Sequence, residues 1–124
     1  VRLATLTLLL LLALSLLLAR GVAAHHSFAQ FDASQLLTVT GVVKEFQWTN
    51  PHVYLEVHSL TEAGDEQVWL LESSSPNQLT RAGWSRTAIH MGDKLKIEFH
   101  PLKSGQRGGW LVKCTLPDGR VFGG

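Results

Sequence analysis

Residues 37–60 read LTVTGVVKEFQWTNPHVYLEVHSL, and this stretch decides the fold class. Its first half is dense in β-branched and aromatic residues, the side chains that suit a pleated, half-buried surface. Gly41 interrupts that run, which predicts a bulge or a tight bend. Thr49-Asn50-Pro51 ends it, because Pro51 has no N–H for a ladder and biases Asn50 away from the helical region. The second half alternates, with Val53, Leu55 and Val57 on one face and His52, Tyr54, Glu56 and His58 on the other. Two strands joined at a proline turn are the expectation.

Downstream, Glu62-Ala-Gly-Asp-Glu66 is a turn and VWLLE at 68–72 a third strand. Ser75-Pro-Asn-Gln78 then has the marks of a helix start: Ser75 as N-cap, Pro76 in the first helical position and Gln78 to close a capping box. Leu79 and Ala82 give a short apolar stripe and Gly83 a left-handed stop, so the helix has about two turns, with a weak restart over Ser85–Ile89. KLKIEFH alternates again. The Gly-rich segment at 104–109 reads as a flexible hairpin loop leading into WLVKCTL, and Val121-Phe122 could add a sixth scrap of strand. Three strands, one short helix and two strands is the order of an OB-like five-stranded β-barrel. The expected fold is therefore all-β, with its one short helix between strands 3 and 4; the rival is a small open β-sandwich with a surface helix.

Upstream, residues 3–18 are the uncharged run LATLTLLLLLALSLLL, with Arg2 before it and Arg20-Gly-Val-Ala-Ala24 after it. Basic start, apolar middle and small-residue end are those of a secretory signal peptide. The expected organisation is a signal-peptide helix over 1–24, an N-terminal arm over 25–36 and a barrel over 37–124, in a periplasmic or secreted protein with no stable membrane insertion after cleavage. The alternative is a retained anchor, for which 17 apolar residues are at the short limit.

Of 124 residues, eleven are Lys or Arg and ten Asp or Glu; setting aside Arg2 and Arg20 leaves nine basic against ten acidic. A nearly neutral domain lacks the basic footprint of phosphate-backbone binding, so nucleic acid is not among the expected partners. One cysteine, Cys114, rules out a disulfide framework. Its alternation with Trp110 and Val112 suggests a buried, inert thiol. No G-x-S-x-G elbow or phosphate loop is present, and Ser73-Ser74-Ser75 suits helix capping better than nucleophilic attack. An enzyme is not expected.

His25-His26, at the end of the leader, is the sharpest chemical feature. Cleavage after Ala24 would put an amine and an imidazole on His25, a chelating pair that suits Cu(II); cleavage after Ala23 would make His26 third, as in a square-planar amine–amide–imidazole site. Against this stands the plain reading of two exposed histidines. His52, after Asn50-Pro51, is the candidate third ligand, or else a strand-end histidine bonded to its neighbours. His58 lies roughly 20 Å further along at ~3.3 Å per residue and cannot share that ion on a continuous strand. His90, His100, Met91, Asp32 and Glu72 carry ordinary surface or packing readings. Trp48, Trp69, Trp84 and Trp110 exceed what a small core needs. Some could line a ligand face, with Trp48, Asn50 and Tyr54 as candidate contacts, while Trp69 and Trp84 suit sealing the barrel ends.

AHHSF at 24–28, FD at 31–32, FQWTNPHV at 46–53, SSSPNQLTRAGW at 73–84, GDKLKIEFHP at 92–101 and DGR at 118–120 together resemble a domain-of-unknown-function family of small exported bacterial proteins. The resemblance implies a signal peptide, a compact β-rich domain and His25 as the mature terminus, and it assigns no activity. Two functions follow as expectations. One is a periplasmic copper-binding protein, for buffering or delivery, using His25, His26 and His52. The other is an OB-like module that recognises a peptide, glycan or protein partner through its aromatic face.

Overall fold

In a computed structural model that describes residues 28–124, Leu37–Gln47 forms β1, Tyr54–Leu60 β2 and Glu66–Glu72 β3. Pro76–Arg81 is helix α1, followed by β4 (Lys94–Pro101), β5 (Gly108–Thr115) and β6 (Val121–Gly123). Neighbouring strands pair antiparallel in the order β3-β2-β1-β4-β5-β6. The cylinder closes where β3 and β5 run parallel, through Leu70↔Gly108, Leu71↔Gly109 and Glu72↔Trp110. This is a closed five-strand all-β barrel with one short helix between strands 3 and 4, as the order of elements predicts, and β6 is added along the second half of β5. A β-carbon on Gly108 would stand 2.6 Å from the Leu70 carbonyl oxygen, so the close approach of the seam depends on glycine there.

Inward positions alternate along the strands and fill the barrel with Val43, Leu55, Val57, Leu71, Leu95, Ile97, Phe99 and Leu111, all nearly inaccessible. Burying each such side chain is worth about 1.5–3 kcal/mol. The helix follows its signals: Ser75 caps it, Gln78 completes the capping box, and Gly83 adopts φ 91°. Leu79 and Trp84 then join the barrel core.

The expected restart over 85–89 does not form a helix. A turn bond from the Ala88 N–H to the Ser85 carbonyl (3.0 Å) bends the chain so that Ala88 and Ile89 drop into the core. Two bulges also change the alternation. The extra residue of β1 is Lys44, while Gly41 instead allows close approach to the His58 carbonyl. On β5 the extra residue is Val112, which turns Cys114 inward beside Leu111 and leaves Trp110 and Val112 on the other side. The thiol is buried as expected, but for this reason.

One compact unit spans Phe31–Gly124. Phe31 is buried and bridged to Leu102, and the Asp32 N–H bonds the Pro101 carbonyl at 2.8 Å. The final part of the arm thus lies along the β4–β5 turn. Among the described residues no helix is long and apolar enough to cross a membrane. The leader and its cleavage site lie outside the described residues.

Candidate functional site

His52 sits just before β2, not within it. The backbone of the next residue explains its position: the Val53 N–H bonds the Ser74 carbonyl (3.1 Å), and the Ser73 N–H bonds the Val53 carbonyl (2.8 Å). The β1–β2 loop is thereby tied to the end of β3, and His52 Nδ1 meets the Glu72 carboxylate. The His52 side chain is 23% exposed and that of Glu72 13%. A ring nitrogen facing a carboxylate carries the proton, so Nδ1–H donates to Glu72 and, in the neutral ring, Nε2 keeps its lone pair.

A row of outward residues runs around this end of the barrel. Gln47 pairs with Tyr54, Tyr54 with Glu72, Glu72 with Trp110, and Trp110 with His100. His52 stands edge-on to the Trp110 ring at 5.7 Å, and Phe31 packs on Trp110 at the same centroid distance. Burial, and then the Glu72 charge, hold the Tyr54 phenol above its ordinary value of 10.0. His100 Nδ1 donates to the Gln35 carbonyl at 2.6 Å, which fastens the arm beside Trp110.

The structure therefore brings His52 and Tyr54 together on one wall, with Glu72 between them. Asn50 is exposed in the β1–β2 loop, and Trp48 packs edge-on to Phe46 (5.8 Å) against the core. Trp84 is buried, with Nε1 donating to the Gly123 carbonyl at 2.7 Å. Trp69 is half-buried, and its Nε1 donates to Ser59 Oγ at 3.0 Å. His25 and His26 lie outside the described residues. Among the described residues no three His, Cys, Asp or Glu side chains are grouped to hold a metal ion. Met91 is 77% exposed, so it is not packing material.

Two features of the site surroundings escape sequence reading. Glu72 and Trp110 become neighbours only through the parallel seam, which no local pattern announces. His58 is held on both sides, by Glu66 at 2.7 Å on Nδ1 and by Glu56 at 2.8 Å on Nε2. Hydrogen bonds donated to Glu66 and then to Glu56 raise its pKa above 6.5. The alternation that puts Glu56 beside His58 was visible; the β2–β3 register that adds Glu66 was not.

The model of a family of unknown function, DUF6152, matches residues 14–111. The chain belongs to that family. Membership agrees with the resemblance carried by the AHHSF, W-x-NPH and SPN…GW motifs, and it brings no assigned activity. No curated protein matches the chain by sequence. Among solved structures it is similar to the mitochondrial single-stranded DNA binding protein Rim1 of S. cerevisiae, with TM-score 0.52 and 10% identity over 67% of this chain and 93% of that one. That likeness concerns the fold. It also corrects the exclusion of nucleic acid on grounds of net charge, because a barrel of this fold serves a single-stranded DNA binding protein. Single strands are held by local cations and stacking surfaces, which a whole-domain charge sum does not register.

Proposed function

We propose that this chain is an exported, non-catalytic binding protein that holds a transition-metal ion, copper in first place. The sequence offers His25 and His26 as ligands, and the barrel offers His52. The observation that carries the reading is the His52–Glu72 pair. A metal-binding imidazole ordinarily donates its other ring N–H to a carboxylate or carbonyl, which sets its tautomer and orientation. Glu72 does this for His52, whose Nε2 is the nitrogen left for a ligand bond. Imidazole and amine nitrogens suit Cu(II). The same chemistry serves Ni(II), so both ions belong in the test.

The test is titration of the processed chain with Cu(II) and Ni(II), with electron paramagnetic resonance of the copper form and intact mass to fix the terminus. One ion per chain with several nitrogen ligands is expected, lost in the His25/His26 double substitution. His52→Ala should remove one nitrogen from the spectrum, and Glu72→Gln should weaken binding by about 10–100-fold. Non-stoichiometric binding, or binding indifferent to His25 and His26, would overturn the proposal.

A second reading rests on a different observation. The outer face of β1–β2–β3 leaves Val42, Leu60, Val68 and Leu70 exposed, Leu60 by 72%. These side chains stand around the outward Glu56–His58–Glu66 cluster, and apolar surface interleaved with polar groups suits a recognition face, here for a polypeptide partner and with aliphatic contacts in place of the expected aromatic ones. Leu60→Ser and Leu70→Ser would abolish partner capture while leaving metal binding unchanged. A single-stranded oligonucleotide belongs in the same binding series.

A further inference from the structure

The β4–β5 loop, residues 102–107, closes one side of an open groove of about 380 Å³. Leu37 and Gln35 from the arm side line it, as do Trp69 from β3 and Lys103, Gln106 and Arg107 from the loop. None of these residues belongs to the His52–Glu72–Trp110 row. The loop is held at several points. The Gly105 N–H bonds the Leu102 carbonyl (3.1 Å), the Gln106 N–H bonds Ser104 Oγ (3.3 Å), and the Arg107 carbonyl accepts from the Leu70 N–H (3.3 Å). Its side chains are thus carried on a bonded turn, with Gly105 at φ 79° making the corner.

Two cations border this groove. Lys113 pairs with Glu98 and Arg120 with Asp118, each at 2.7 Å, whereas Lys103 and Arg107 make no ion pair among the described residues. Asp32 also borders the groove: Ser34 and Gln35 bond its carboxylate oxygens and hold its pKa low, and the Lys103 charge acts on it, so the ionised lining carries one net positive charge, with Arg107 as the cation left over. The Trp69 N–H is likewise used, by Ser59, so the indole brings apolar ring to the groove. Two cations beside one carboxylate, a Gln106 side-chain amide with no hydrogen bond among the described residues, and a floor of indole and leucine stand within a volume at the lower end for small-molecule sites.

From this juxtaposition we infer that the groove binds a small organic anion, a carboxylate or phosphate joined to a flat apolar body. The charged head would sit on Arg107 and Lys103, with the body against Trp69 and Leu37. A guanidinium fork is suited to either oxyanion. Neither a bare anion nor a neutral ring satisfies both halves of the groove.

The experiment is an amide nuclear magnetic resonance titration of the processed chain with four probes: phenyl phosphate, phenylacetate, inorganic phosphate and benzyl alcohol. Saturable shifts at residues 103–108 and at the Trp69 indole N–H are expected for the first two, and the tighter of them identifies the head group. Inorganic phosphate and benzyl alcohol should bind at least ~10-fold more weakly. Arg107→Gln should cost roughly 10-fold or more in affinity, the weight of one charge-assisted hydrogen bond. Lys94→Gln, remote from the lining, should change nothing, and the dispersion of each spectrum reports that the variant is folded. Absence of saturable shifts in the loop, equal binding of benzyl alcohol, or undiminished binding by folded Arg107→Gln would overturn the inference.

Discussion

Replacing Gly108 with alanine puts one methyl group into the seam that closes the barrel. Its carbon would lie 2.6 Å from the Leu70 carbonyl oxygen, 0.8 Å inside the 3.4 Å at which ordinary contact begins. Both sides of the clash are backbone, so no rotamer relieves it and β3 must move from β5. Separation strains the hydrogen bond that crosses from β3, Leu70 N–H to the Arg107 carbonyl (3.3 Å). At about 1 kcal/mol net for that bond, with about 1–3 kcal/mol for overpacking, the cost is about 2–4 kcal/mol. For a domain of this size that is a fall in Tm of roughly 10–30 °C. Thermal unfolding followed by circular dichroism measures it, and hydrogen exchange at the Leu70 amide locates it. Gly123→Ala is the control, since a β-carbon there meets nothing within 4 Å. The seam also sets Glu72 beside Trp110, so the aromatic circular dichroism should change with it. A Gly108→Ala protein melting within about 2 °C of the parent, well under 1 kcal/mol by the same conversion, would refute the closure argument.

Three further outcomes follow from single observations. The His58 pKa is raised and that of Glu66 lowered by their mutual hydrogen bond. The imidazole contribution is complete below 6.5 and fades as pH rises through the folded value, while the carboxylate contribution is present above 4.5 and is lost as pH falls through its lowered value. The Tm gap between the parent and His58→Asn should therefore be widest between pH 4.5 and 6.5 and narrow toward pH 8; a gap independent of pH would contradict the clamp. Burial, with Asp93 adding to it, pushes the Cys114 thiol up to about 12. A thiol reagent at neutral pH should modify it only as fast as the protein unfolds, and rapid stoichiometric labelling of the native chain would show the thiol is reachable. Trp84→Phe deletes the 2.7 Å bond to the Gly123 carbonyl and should cost about 1–3 kcal/mol, with earlier hydrogen exchange in β6 than in β1.

Local patterns carried much of the architecture. The strand alternation from Tyr54 to Leu60, the Ser75-Pro76-Gln78 helix start and the Gly83 stop all depend on neighbours within a few residues, and all are present as read. The family motifs were equally legible. What local reading missed involves counting across strands. A one-residue bulge at Val112 reverses which face the rest of β5 presents, so the face shared by Trp110 and Cys114 in simple alternation is divided in the barrel.

The candidate site divides along the same line. His52 stood out because a proline turn precedes it, and that much is a property of the chain. Its partner Glu72 is twenty positions away and looks like an ordinary strand-end acid until Val53 bonds to Ser73 and Ser74. Trp110 joins them only because β5 runs parallel to β3, and a parallel contact has no hairpin turn to announce it. Residue type and periodicity therefore settle which side chains face outward only where no bulge intervenes. Which of those outward side chains meet is decided by barrel closure, since the pairing that brings them together is made between segments far apart in the chain.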